Sequence, residues 1–144
     1  MIKVILGKKG SGKTKRMIDL ANRSLSNRKG HVVFIDDDNR YMYELSCPIR
    51  FVDAAEFRIQ SPEAFYGFLC GMLAQNYDID LIFIDGFLKI INTSLDQIEF
   101  FFNDLDDLSQ KFNVHFVISV SGDPENAPAF LSQYLLKGGE DGNS

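Results

Sequence analysis

Eight residues near the start of the chain, Gly7-Lys8-Lys9-Gly10-Ser11-Gly12-Lys13-Thr14, fit the pattern G-x-x-x-x-G-K-[ST] at every fixed position. The glycines let the backbone curl so that successive N–H groups point at one phosphate. A helix opening directly behind the loop adds the positive end of its dipole. In such a loop Lys13 reaches the β and γ phosphates of a nucleoside triphosphate, and the Thr14 hydroxyl serves a magnesium ion. The expected nucleotide-binding set is Gly7, Lys8, Lys9, Gly10, Ser11, Gly12, Lys13, Thr14 and Lys15.

Phosphate chemistry of this kind needs a carboxylate on the metal side. Leu81-Ile82-Phe83-Ile84-Asp85 supplies one at the end of an apolar run, so Thr14 and Asp85 form the expected magnesium set. Gly86 follows, where many ATPases carry a second acid. A base must then come from elsewhere, and Asp36-Asp37-Asp38 closes another apolar run. Asp38 lies farthest past that run and is the candidate for orienting a water or a substrate hydroxyl, which makes Lys13 and Asp38 the expected catalytic pair. Three adjacent carboxylates repel one another and call for a cation, either magnesium or Arg40. Ser119 and Ser121, at the end of a further run, are placed to touch the γ phosphate, although turn chemistry is the plainer reason for serine there.

Four runs rich in Val, Ile and Phe must hold these groups: Lys3 to Leu6, Val32 to Asp36, Leu81 to Asp85 and His115 to Val120. Unbroken apolar runs of this length suit strands buried on both faces of a parallel sheet. Met17, Leu20, Ala21 and Leu25 recur at helical spacing, as do Phe65, Phe68, Leu69, Met72 and Leu73 behind Ser61-Pro62. Ser94-Leu95-Asp96-Gln97 reads as a capping box opening a helix to Phe112. Ile49 to Val52 is expected as a short extra edge strand, and a last helix of about ten residues around Ala129 to Leu136, stopped by Gly138-Gly139. Residues 1 to 137 then form one domain and 138 to 144 a flexible tail.

Composition narrows the partners. A length of 144 residues, 45% hydrophobic and 24% charged, describes a single soluble domain. The net charge of -5 and pI near 4.9 make nucleic acid an unlikely ligand, since such binding depends on clustered Lys and Arg. No run of 18 apolar residues occurs, so membrane insertion is not expected and the cytoplasm is the expected location. Cys47, Cys70, His31 and His115 show no metal-ligand spacing and read as packing residues.

The order of these motifs resembles the RecA-like branch of P-loop NTPases and, in size, small bacterial ATP-binding proteins. Gly7 to Thr14 matches the Walker A loop, Phe34-Ile35-Asp36-Asp37-Asp38 the second strand with its base two positions after the first Asp, and Leu81 to Asp85 the Walker B strand. The resemblance implies an α/β, three-layer fold with a mostly parallel sheet in the order 1-4-3-2. It also implies ATP binding with magnesium and weak or partner-activated hydrolysis, acting as a switch or assembly component. The chain departs from the family in a small residue at the sensor position, in Asp in place of Glu at the base, and in having no Arg after Arg58. A protein partner or self-association is therefore expected to complete the site. No guanine-reading N-K-x-D or T-K-x-D occurs, which leaves ATP as the expected nucleotide. Two alternatives remain open at this point. One is a small-molecule kinase with the turn 36 to 38 as acceptor site; the other is a non-catalytic module using Gly86 to Ile91 as a contact surface.

Overall fold

The computed structural model describes residues 1 to 136; residue 137 and the expected tail, with the Gly138-Gly139 stop, lie outside the described residues. The apolar runs form strands β1 (Ile2–Gly7), β2 (His31–Asp36), β3 (Arg50–Asp53), β4 (Ile79–Ile84) and β5 (His115–Ser121). All are parallel and pair in the order β1-β5-β4-β2-β3. This differs from the four-strand order 1-4-3-2, because Arg50–Asp53 adds a fifth strand at the edge beside β2 and renumbers those after it.

Alternate side chains leave each strand on opposite faces, and here both faces are covered. Val32 and Phe34 pack with Met17, Leu20 and Ala21 of α1 (Lys13–Ser24). Val33 and Ile35 pack on the other side with residues of α2 (Pro62–Gln75), α3 (Phe87–Ile91) and α4 (Glu99–Phe112). The result is the three-layer α/β arrangement. Among the described residues no helix is long and apolar enough to cross a membrane.

Two helix expectations change. Leu95–Gln97 is a separate 3-10 turn with no buried residue, Ser94 makes no side-chain cap, and α4 begins only at Glu99. The helix starts where burial starts, at Ile98, and then carries Phe101, Phe102, Leu105 and Leu108 inward. The expected last helix is a five-residue 3-10 turn, Ala129–Gln133. The chain then runs along the open edge of β1: Val4 N donates to Tyr134 O at 2.8 Å and Leu136 N donates to Val4 O at 2.8 Å. Pairing with an exposed strand edge satisfies backbone groups that a helix would leave to solvent. Stacking of Tyr134 on Phe102, with centroids 5.3 Å apart, anchors the turn.

Because every strand points the same way, their carboxyl ends meet at one edge of the sheet. Register aligns Gly7 with Ser121, Ile5 with Ser119, and Ile35 with Ile84. Asp36 and Asp85 are the next residues on their chains and arrive side by side.

Candidate functional site

β1 ends at Gly7 and α1 begins at Lys13, so the glycine-rich loop spans a strand end and a helix start. Gly10 and Gly12 take left-handed φ values of 83° and 87°, which L side chains rarely adopt. Gly7 is needed for a different reason: a Cβ there would fall 2.5 Å from Ser11 Oγ. Ser11 N donates to Lys8 O at 3.0 Å and closes the curl. The helix cap is Gly12, which has no side chain to satisfy the first N–H groups, and no acidic residue sits in the first turn. The dipole end is thus left open toward the loop, where an anion is the natural complement. Lys13 Nζ donates to Lys8 O at 3.0 Å, folded onto its own loop. Burial lowers its pKa, and the Asp85 charge opposes the shift.

Opposite the loop stand the strand-end acids. Asp85, 5% exposed, accepts from the Ser119 hydroxyl and from Gly86 N at 3.1 Å, both on Oδ1. Asp36 is 2% exposed. Its Oδ1 accepts from Asp37 N at 2.7 Å, while Oδ2 is buried with no partner among the described residues. Burial, then the Asp37 side chain and the Asp85 charge, push the Asp36 carboxyl up to about 8. Gly86 sits at φ 67°, and a Cβ there would run into the Asp37 carboxyl. An acid in place of Gly86 would strain the backbone and have to displace the Asp37 carboxyl. Asp37 lies 4.0 Å from Lys89 Nζ. Asp38 turns away to Arg40, whose guanidinium and backbone N–H both approach it at 2.9 Å and hold its pKa down.

Loop and acids enclose a cavity of about 690 Å³. Of the residues singled out from the sequence, Lys9, Gly10, Gly12, Lys13, Thr14, Lys15, Asp85, Ser119 and Ser121 line it. Gly7, Lys8 and Ser11 shape the loop from behind, and Asp38 is outside the lining. Asp36 and Asp37 are inside it, and so is Tyr41, which sequence reasoning did not single out. Its signal was available as an aromatic five residues past the strand end. Lys9, Lys13 and Lys15 line it from the loop and the start of α1, and Asp36, Asp37 and Asp85 from the strand ends. Thr14, Asp36 and Asp85 line the cavity with oxygens, the atom type a hard divalent cation takes, and Asp36 Oδ2 is buried without a hydrogen-bond partner among the described residues. α3 buries Phe87, Ile90 and Ile91, so these residues of the 86 to 91 segment present no apolar contact surface.

Sheet, layers and loop together define an α/β protein with an all-parallel five-stranded sheet and a glycine-rich loop behind its first strand. Among solved structures, that of the flagellar accessory protein FlaH from Methanocaldococcus jannaschii is similar, with a TM-score of 0.53 and 17% identity over 88% of this chain. The match spans 62% of FlaH, less than two thirds of that protein, and it supports a RecA-like fold. No protein-family model and no curated protein sequence matches the chain.

The raised pKa of Asp36 has a consequence for stability. Between the ordinary carboxylate value of about 4 and the folded value of about 8, the folded chain keeps a proton that the unfolded chain has lost. Wild-type stability therefore falls as pH rises through that window. In EDTA, Asp36→Asn is expected to gain melting temperature over wild type progressively from pH 4 to 8 and to hold that gain at higher pH. A difference that does not change with pH would contradict it.

Proposed function

We propose that this protein binds ATP with Mg²⁺ in the cavity between the Gly7 to Thr14 loop and the strand-end acids, and hydrolyses it slowly until a partner completes the site. The observation that carries this reading is the uncapped start of α1 beneath a loop with two left-handed glycines and a lysine folded back onto it. Such a lysine exchanges a carbonyl for phosphate oxygens without rearranging the fold. Magnesium, when bound, would neutralise phosphate charge; Thr14 and Asp85, with the unpartnered Asp36 oxygen beside them, are the residues that would hold it. Tyr41 lines the cavity with the Arg40 guanidinium 5.5 Å over its ring, and ATP is the nucleotide proposed because no guanine-reading sequence is present.

The residue that orients the nucleophile is assigned to Asp37 rather than Asp38. Asp37 lines the cavity, whereas Asp38 is outside it and made less basic by Arg40. Slow turnover has the same root, because Arg40 is the one guanidinium lining the cavity among the described residues, and it is held on Asp38. Charge developing on the transferring phosphoryl group thus lacks a free arginine. Such a protein works as a nucleotide-dependent switch or assembly component.

With ligand a hundredfold above its dissociation constant, linkage gives about 2.7 kcal/mol, a melting shift of a few degrees. Wild type with ATP and Mg²⁺ is expected to show that shift in thermal unfolding and Lys13→Ala to lose it. Equal shifts in the two proteins would sink the loop assignment.

Turnover tests the second assignment. Under single-turnover conditions Asp37→Asn is expected to slow phosphate release by about 10² while ATP affinity stays within about fivefold. Asp38→Asn is expected to change the rate much less. The opposite ranking returns the role to Asp38, and unchanged rates in both variants remove the turn from the chemistry.

A further inference from the structure

A second cavity, of about 430 Å³, adjoins the first. Three separated segments build it: Asp37 just past β2, the stretch from the 3-10 turn Ala54–Phe57 on to Gln60, and Lys89 to Asn92 at the end of α3. Asp37 and Lys89 line both cavities and form the wall between them. A molecule in the second cavity therefore abuts the phosphate end of the proposed nucleotide site, and only this adjacency rests on the nucleotide reading.

The charge in this cavity is unbalanced. Lys89 has Asp37 opposite it at 4.0 Å, at the limit of an ion pair. Arg58 also lines the cavity, and among the described residues no carboxylate lies within ion-pair distance of its guanidinium. One positive charge is left over. Arg58 also holds φ 54°, a left-handed conformation that glycine would take without strain and arginine takes at a cost. The position thus carries a fork of N–H donors where backbone preference alone favours glycine. Gln60 and Asn92 add amide groups, and the half-buried Ile59 a small apolar wall. A planar guanidinium with amides nearby and a small apolar wall suits a compact organic anion. The volume is that of a metabolite-sized molecule.

We propose that this cavity is a binding site for a small organic anion, with its carboxylate or phosphate group on Arg58 and its other end toward Asp37, as a second ligand beside the nucleotide. Both candidate groups share the oxyanion geometry that the guanidinium fork reads, and the probes separate them.

The full ¹⁵N-labelled chain is titrated with succinate and, separately, with inorganic phosphate, against sodium chloride at matched ionic strength, and followed by amide chemical shifts. Saturable shifts over 54 to 60 and 89 to 92 are expected with at least one probe, and the probe that saturates at the lower concentration identifies the group. Arg58→Gln is expected to weaken that binding by about tenfold or more. Arg58→Gly relieves the left-handed φ, so it should keep or raise the melting temperature and still lose the shifts, which separates lost binding from lost fold. Lys13→Ala is expected to abolish stabilisation by ATP and leave these shifts intact. A failed nucleotide site is thereby distinguished from a failed anion site. Shifts that never saturate, that match those in sodium chloride, that survive in Arg58→Gln, or that vanish in Lys13→Ala overturn the proposal.

Discussion

Two carboxylates at the ends of neighbouring parallel strands cannot both be buried and both be charged without a cation nearby. The register that pairs Ile35 with Ile84 forces Asp36 and Asp85 into that position. Much of the surrounding detail comes from how their charge is managed. Asp85 keeps Oδ1 occupied through Ser119 and Gly86 N. Asp36 has one oxygen satisfied and one orphaned, and its carboxyl moves up to about 8. The available protein cation is Lys13, whose pKa responds to the Asp85 charge even while the ammonium donates to Lys8 O. An added divalent cation would satisfy the acids and leave Lys13 to a phosphate chain. Loop and acids are thus two halves of one electrostatic arrangement.

The same constraint explains what is small at the site. The turn after β4 brings Gly86 against the Asp37 carboxyl at a left-handed φ of 67°, so a second acid beside Asp85 would strain the backbone and crowd another carboxylate. The acidic partner comes instead from the end of β2. There the chain splits its three aspartates by environment: Asp36 inward, Asp37 at the wall shared with the second cavity, and Asp38 outward onto Arg40. Identical side chains in sequence acquire different neighbours once the strand ends, and the proton affinities of Asp36 and Asp38 move in opposite directions.

What was legible in the sequence was what local pattern determines. Four strands announced themselves as unbroken Val, Ile and Phe runs because both faces of a parallel sheet are buried. Arg50–Asp53 was readable as an edge strand through Ile49 to Val52. The loop pattern stood out because its glycines are dictated by backbone geometry that no other residue provides cheaply. Features set by distant contacts were not legible. Ser94 has the chemistry of a cap, yet burial of Ile98 places the helix start further on. Ala129 to Leu136 reads as one helix, yet the unpaired edge of β1 and the ring of Phe102 end the turn at Tyr134 and lay Leu135 and Leu136 along β1. Which of three aspartates faces the cavity depends on the turn to Arg40, and the second cavity exists only where three separated segments meet.

Lys13, Thr14 and Asp85 are proposed to converge on the triphosphate and magnesium of a nucleotide held by the loop. A crystal structure of the protein with Mg²⁺ and a non-hydrolysable ATP analogue tests it most directly. Lys13 Nζ is expected to be released from Lys8 O and bonded to the β and γ phosphates, with magnesium held on the side of Thr14 and Asp85. Nucleotide bound elsewhere, or a loop still closed on Lys13 at saturating ligand, would contradict it.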